Sequence, residues 1–261
     1  MLTKSLILLS DLGHGPLYFT LTLALIIMGW RRSSFAKGQV SEWLWLGGRL
    51  ALFWVGGVLL SACLKYHFCA PRPWWIDPQV LPLHPHPAKG FGMPSGHTQS
   101  AVGLLLFALC LPRAIAERAL QRPTPALLTL HSSFTLLGML WVAGIAWSRV
   151  HLNAHSVAQV FAGGALGLGW AMWIVYCERR QRGLTFLIAT LVTISGWCLW
   201  SSLSPLPPEA FADSRQAIID QGQAIPSAPP LTITLLFIVL SFACLSLYYQ
   251  LRVSAESSQR S

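Results

Sequence analysis

The sequence predicts an all-α protein, a polytopic transmembrane helical bundle of about six to seven spans. Two observations predict it. Of the 261 residues, 54% are hydrophobic and only 10% charged, whereas an ordinary soluble domain carries about a quarter charged residues. The apolar residues also gather in runs approaching the ~20 residues that a helix needs to cross a bilayer. These runs are 15–30, 43–64, 97–112, 126–147, 155–177, 184–202 and 231–250. The run 6–9 is too short to span, and no small-residue cleavage site follows it, so residues 1–13 read as an interfacial lead-in rather than a signal peptide. The chain reads as a single membrane domain over 1–261, with a motif-bearing core at about 65–160 and extra C-terminal spans at about 184–251.

Basic residues in short loops orient such a bundle. Arg31, Arg32 and Lys37 follow the first run, Arg113, Arg118 and Arg122 the third, Arg179, Arg180 and Arg182 the fifth, and Arg252 the last. With seven spans all four clusters share one side, the cytoplasmic one. The 65–96 loop, the 148–155 loop and the Pro-rich 203–230 loop then lie on the opposite face. The net charge of +9 is thereby largely topological, and its scatter over loops argues against a nucleic-acid partner. Cys63, Cys69, Cys110, Cys177, Cys198 and Cys244 mostly fall within apolar runs and read as small hydrophobes. A Cys63–Cys69 disulfide is disfavoured, since a short turn at a helix end would have to satisfy its geometry.

Charge near a bilayer is costly, so polar clusters at the non-cytoplasmic ends of spans need a reason. There are three. "KYHFCAPRP" carries Lys65 and Arg72, "PSGH" carries Ser95, Gly96 and His97, and "SRVHLNAHSVAQ" carries Ser148, Arg149, His155 and Gln159. In the seven-span arrangement they share one face and one depth. Lys65, Arg72 and Arg149 suit a tetrahedral dianion, the arginines as planar forks. Ser95 can cap the third span while Gly96 lets backbone approach closely, so the helix start forms an anion seat. Two histidines beside a phosphate suggest transfer through a phosphohistidine, with His155 as nucleophile and His97 as general acid, later the base that activates water. Gln159, four residues after His155, is placed to accept its Nδ1–H. Nine acidic residues in all, of which Asp77 is nearest to the clusters, offer no carboxylate cage for a metal. No Gly-x4-Gly-Lys-Ser/Thr loop is present. Neither a metal nor a cofactor is expected.

Lys65-x6-Arg72-Pro73, then Pro94-Ser95-Gly96-His97, then Ser148-Arg149-x5-His155 together resemble the three-part signature of the type 2 phosphatidic acid phosphatase (PAP2) superfamily. The resemblance covers about 65–160. It implies a helical bundle with metal-independent phosphohistidine chemistry, in which the first cluster and Arg149 bind phosphate, His97 is the acid and His155 the nucleophile. The commonest pattern of that family has Asp four residues after the nucleophile, where this chain has Gln159. Branches resembling dolichyl diphosphatase and glucose-6-phosphatase also carry Gln there, so activity is expected, and Gln159→Asp is expected to retain or raise it.

Other residues have plainer readings. His67, His131 and His151 read as interfacial or hydrogen-bonded helix residues, and His84 and His86 as part of an extended loop. Trp74 and Trp75 read as interface anchors, Arg49 as a snorkelling residue, and "GGALGLG" over 163–169 as a small-residue helix-packing surface. The function expected is a membrane phosphatase that hydrolyses a lipid phosphate or diphosphate, of phosphatidic acid, phosphatidylglycerol phosphate, undecaprenyl diphosphate or lipid A type, at the periplasmic face of a bacterial inner membrane. A lipid phosphotransferase using the same pocket, or a non-catalytic lipid-binding or transport protein, are the alternatives. A vanadate-dependent haloperoxidase shares the pocket chemistry in the superfamily, but such enzymes are soluble.

Overall fold

The computed structural model describes residues 2–13, 15–33, 41–77, 79–84, 90–119, 125–178, 180, 183–204, 219 and 231–258. Lys37, His86, Arg122, Arg179, Arg182 and most of the 203–230 loop lie outside them, as do the side chains of Arg113, Arg118, His131 and Arg252. Among the described residues the regular elements are helices: α1 (Leu2–Asp11), α2 (Gly15–Arg32), α3 (Glu42–Phe68), α4 (Pro73–Ile76), α5 (Gly96–Ala119), α6 (Pro125–His151), α7 (Val157–Glu178), α8 (Gly183–Leu203) and α9 (Leu231–Ser258). Proline marks the first position of α4 and α6, where the missing N–H costs nothing because helix starts leave it unpaired anyway.

A helix stands at each of the seven apolar runs. Among the described residues, four helical stretches are long and apolar enough to cross a membrane, namely Trp43–Ile76, Ser132–His151, Val157–Glu178 and Gly183–Leu203, with a shorter apolar helix at Leu231–Leu247. Large apolar side chains stand outward along them: Phe134, Leu137, Leu140 and Trp147 on α6, Phe161 and Met172 on α7. Such a surface suits lipid rather than water, and the protein is an integral membrane protein.

The chain divides into two compact units. The first comprises Met1–His14, Phe68–Ala171 and Pro207–Ser227; the second comprises Gly15–His67, Met172–Leu206 and Ala228–Ser261. In the first, α6 packs against both α1 and α5. The first half of α7 joins them through glycines: a Cβ on Gly163 would sit 2.3 Å from the carbonyl oxygen of Ser95, and one on Gly167 2.2 Å from that of Gln99. Only glycine lets those two backbones approach so closely.

In the second unit, α2 and α3 cross closely, because a Cβ on Gly29 would lie 2.2 Å from the backbone nitrogen of Leu44. α8 packs on α9, with the hydroxyls of Ser202 and Thr234 2.8 Å apart. Cys63 and Cys198 form a disulfide with Cα atoms 5.1 Å apart. This corrects the reading of the cysteines as small hydrophobes: a pairing over 135 residues leaves no local pattern in the sequence. Cys69, Cys177 and Cys244 form no disulfide. Arg49 also has a partner that the sequence hid. Its Nε donates to Glu178 Oε1 at 2.8 Å and its guanidinium lies 4.7 Å above the Trp45 ring.

Candidate active site

The site is built in the first unit, beginning at the end of α6. Asn153 has φ 57°, the left-handed region that Asn enters more readily than other residues with a side chain. Its N–H donates to the carbonyl of Val150 (3.0 Å) and the N–H of Ala154 to that of Arg149 (3.0 Å). This pair of bonds around a left-handed residue is a Schellman motif. The Arg149 carbonyl also accepts the N–H of His155 at 3.1 Å. Backbone bonds thus fix how far His155 stands from Arg149.

His155 does not open α7 but precedes it. Ser156 is the residue before the helix, and its Oγ accepts the N–H of Gln159 (3.3 Å) while Gln159 Oε1 accepts the N–H of Ser156 (3.1 Å). That reciprocal pair is a capping box. His155 Nδ1 lies 2.7 Å from the Gly92 carbonyl and 3.3 Å from Gln159 Oε1. A carbonyl only accepts, so Nδ1 carries the hydrogen and Nε2 the lone pair. The shorter contact is thus to Gly92, which the sequence reading did not single out, and Gln159 supplies the longer one. Gln159 does something further: its Nε2 donates to the Pro71 carbonyl at 2.7 Å. Residue 92 must be glycine for this amide to lie where it does, since a Cβ there would fall 2.4 Å from Gln159 Oε1.

Arg72, only 1% exposed, ties the segments together. Its Nε donates to Gly90 O (2.5 Å), Nη1 to Ala154 O (2.7 Å) and Nη2 to Phe91 O (3.4 Å). The guanidinium lies 5.3 Å from the Trp74 ring. Trp74 and Trp75 are buried, Trp75 edge-on to Phe91, and so belong to the floor of this unit rather than to a membrane interface. Arg149, 5% exposed, donates from Nη1 to Ser10 Oγ at 2.5 Å, while its buried Nε has no hydrogen-bond partner among the described residues. Both guanidinium groups belong to the first unit. Among the described residues neither forms a salt bridge.

At the start of α5, the Ser95 N–H donates to the Gln159 carbonyl (3.0 Å), and its hydroxyl is shared with Thr98 Oγ1 (3.1 Å). A Cβ on Gly96 would meet nothing within 4 Å, so there is room for a guest at this helix start. His97 follows, half-buried. Hydrogen bonds therefore join Arg72, Ser95, Arg149, His155 and Gln159 into one network, with Gly96 and His97 continuing from Ser95. Lys65 stands in the last turn of α3, in the second unit. Among the described residues, no group of three His, Cys, Asp or Glu could hold a metal ion.

Two buried guanidinium groups and two histidines thus lie at the ends of apolar helices in an integral membrane protein. The model of the PAP2 superfamily matches residues 42–183, and the chain belongs to that superfamily. It is similar to two curated proteins. One is the dihydrosphingosine 1-phosphate phosphatase C823.11 of Schizosaccharomyces pombe, 28% identical over 117 residues, which cover 45% of this chain and 27% of that protein. The other is the dihydrosphingosine 1-phosphate phosphatase YSR3 of Saccharomyces cerevisiae, 29% identical over 148 residues, covering 52% of this chain and 34% of that protein. The match thus spans about a third or less of either relative's length. No solved structure matches the chain.

Proposed function

We propose that this protein is a membrane phosphatase that hydrolyses a long-chain lipid phosphate monoester through a phosphohistidine. The observation that carries the proposal is the pair of buried guanidinium groups with no carboxylate in salt-bridge contact among the described residues, one of them with an unpartnered Nε. Buried charge is ordinarily paired, and a phosphate dianion supplies both the charge and the acceptors. His155 Nε2 attacks phosphorus as the ester P–O bond breaks, and His97 gives a proton to the departing alkoxide. Water, deprotonated by His97, then attacks the phosphoryl group, breaking the P–N bond and releasing phosphate. Gly92 and Gln159 hold the Nδ1–H and so keep the attacking lone pair on Nε2. Arg72 and Arg149 stabilise the charge that gathers on the phosphoryl oxygens.

The names of the two yeast relatives favour a sphingoid base phosphate as substrate class, ahead of undecaprenyl diphosphate or lipid A. Loop charge favours a site on the non-cytoplasmic face. The relatives lend nothing to a bacterial inner membrane, and the proposal stops at that face.

The test is phosphate release by purified protein in detergent with EDTA, offered dihydrosphingosine 1-phosphate, phosphatidic acid, phosphatidylglycerol phosphate, undecaprenyl diphosphate and lipid A. Release by the wild type and none by His155→Ala, with an acid-labile phosphoprotein trapped from labelled substrate, is the expected result. Sustained turnover by His155→Ala would falsify the nucleophile assignment.

A further inference from the structure

The helix that the sequence reads as an interfacial lead-in reaches the site. α1 packs along α6, with Leu9 against Gly144, where a Cβ would come within 3.0 Å of Leu9 Cδ2. This seats Ser10, fully buried, on the guanidinium of Arg149, whose Nη1 donates to its Oγ. The chain then turns through a bond from the Gly13 N–H to the Ser10 carbonyl (2.9 Å). Gly13 lies against the root of His97: a Cβ there would fall 3.2 Å from His97 Cβ and 3.0 Å from Ile145 Cγ2. One short segment, outside residues 42–183 of the family match, therefore touches the surroundings of both Arg149 and His97.

We propose that Ser10 is a positioning residue of the phosphate site, holding one arm of the Arg149 guanidinium so that the rest of the fork is set for the phosphoryl group. The inference rests on Arg149 as a phosphate ligand. A guanidinium is a rigid planar fork, so fixing one nitrogen fixes the plane of the others. Ser10 does this with a neutral acceptor, which orients the cation and leaves its charge for the substrate. A carboxylate in the same place would compete with phosphate. The neighbouring carboxylate, Asp11, acts on Arg149 through space without a salt-bridge contact, and is itself half-exposed and paired with His84 at 3.4 Å. Preorganised donors need not reorganise as charge builds on the phosphoryl oxygens.

The experiment uses the full chain in detergent, with orthovanadate as a mimic of the pentacoordinate phosphoryl group and turnover of dihydrosphingosine 1-phosphate as the second readout. Hydrogen bonds to charged groups are worth about a tenfold to hundredfold factor. Ser10→Ala is accordingly expected to raise the orthovanadate inhibition constant and lower kcat by about tenfold or more, with KM moving less. Ser10→Thr keeps the hydroxyl and recovers most of the loss, whereas Ser10→Val, of the same shape, does not. In an Arg149→Ala background, Ser10→Ala adds nothing further. Equal behaviour of the Thr and Val variants, wild-type values for Ser10→Ala, or an undiminished effect in the Arg149→Ala background each overturns the inference. The Thr and Val pair decides the matter even if Ser10→Ala fails to fold. If Arg149→Ala weakens orthovanadate and Ser10→Ala does not, only the role of Ser10 fails. If Arg149→Ala itself leaves orthovanadate binding unchanged, the reading of the phosphate site fails with it.

Discussion

Replacing Gly163 with alanine drives the start of α5 away from α7. The new Cβ would stand 2.3 Å from the Ser95 carbonyl oxygen and 3.0 Å from its nitrogen. Both are backbone atoms, which cannot swing aside as a side chain can. Restoring ordinary contact of 3.4 Å requires the helices to part by about 1 Å. That movement strains the bond from Ser95 N–H to the Gln159 carbonyl and carries Gly96 and His97 away from His155. A 1 Å misplacement of catalytic groups can cost about 100-fold in rate, and overpacking costs about 1–3 kcal/mol of stability. The control lies one residue on. A Cβ on Gly164 meets only Thr98 Cγ2 and Val102 Cγ2, both at 3.8 Å, so Gly164→Ala is expected to leave activity unchanged and to gain slightly in helix propensity. Steady-state phosphate release and thermal unfolding of the two variants, side by side, make the assay. Equal kcat values would refute the idea that the Gly163 approach sets the distance between the histidines.

Two further perturbations follow from contacts that the sequence did not reveal. Gln159→Asp replaces an amide that donates to the Pro71 carbonyl by a shorter carboxylate that can only repel it, so the expectation of retained or raised activity is reversed. A loss of about 1–3 kcal/mol should appear as a lower Tm and reduced kcat, and a variant as active and stable as wild type would show that the Pro71 bond carries nothing. Reducing the Cys63–Cys198 bond, which closes a span of 135 residues, should cost about 2–4 kcal/mol. The wild type would then melt lower with reductant than without, while a Cys63→Ala/Cys198→Ala double variant would melt alike in both conditions.

Helices were legible in the sequence because the constraint behind them is simple: lipid leaves backbone polar groups no partner but the helix itself. A helix accordingly stands at each apolar run. The chemistry-bearing residues were legible because charge at a span end has to be explained. How they are held was less so. Asn153 carries the ordinary signal of a helix end, and Ser156-x-x-Gln159 that of a helix start; together they place His155 outside the helix, whereas an i,i+4 pairing with Gln159 needs it inside. Gly92 and Ser10 had no signal at all. A carbonyl reaching His155 and a hydroxyl reaching Arg149 across 139 positions are tertiary facts. Trp74 and Trp75 show the same limit from the other side, since interface and interior both welcome tryptophan and only packing chooses between them.

The Schellman turn at the end of α6 works as a ruler. Because the Arg149 carbonyl grips the N–H groups of Ala154 and His155 directly, the interval between arginine and histidine is written in main-chain atoms, indifferent to the side chains of Val150 and His151 that it passes. Those two side chains can change while the length of the interval cannot. One residue added to or removed from that interval would rotate the imidazole off its Gly92 anchor, even with every residue of the site still present.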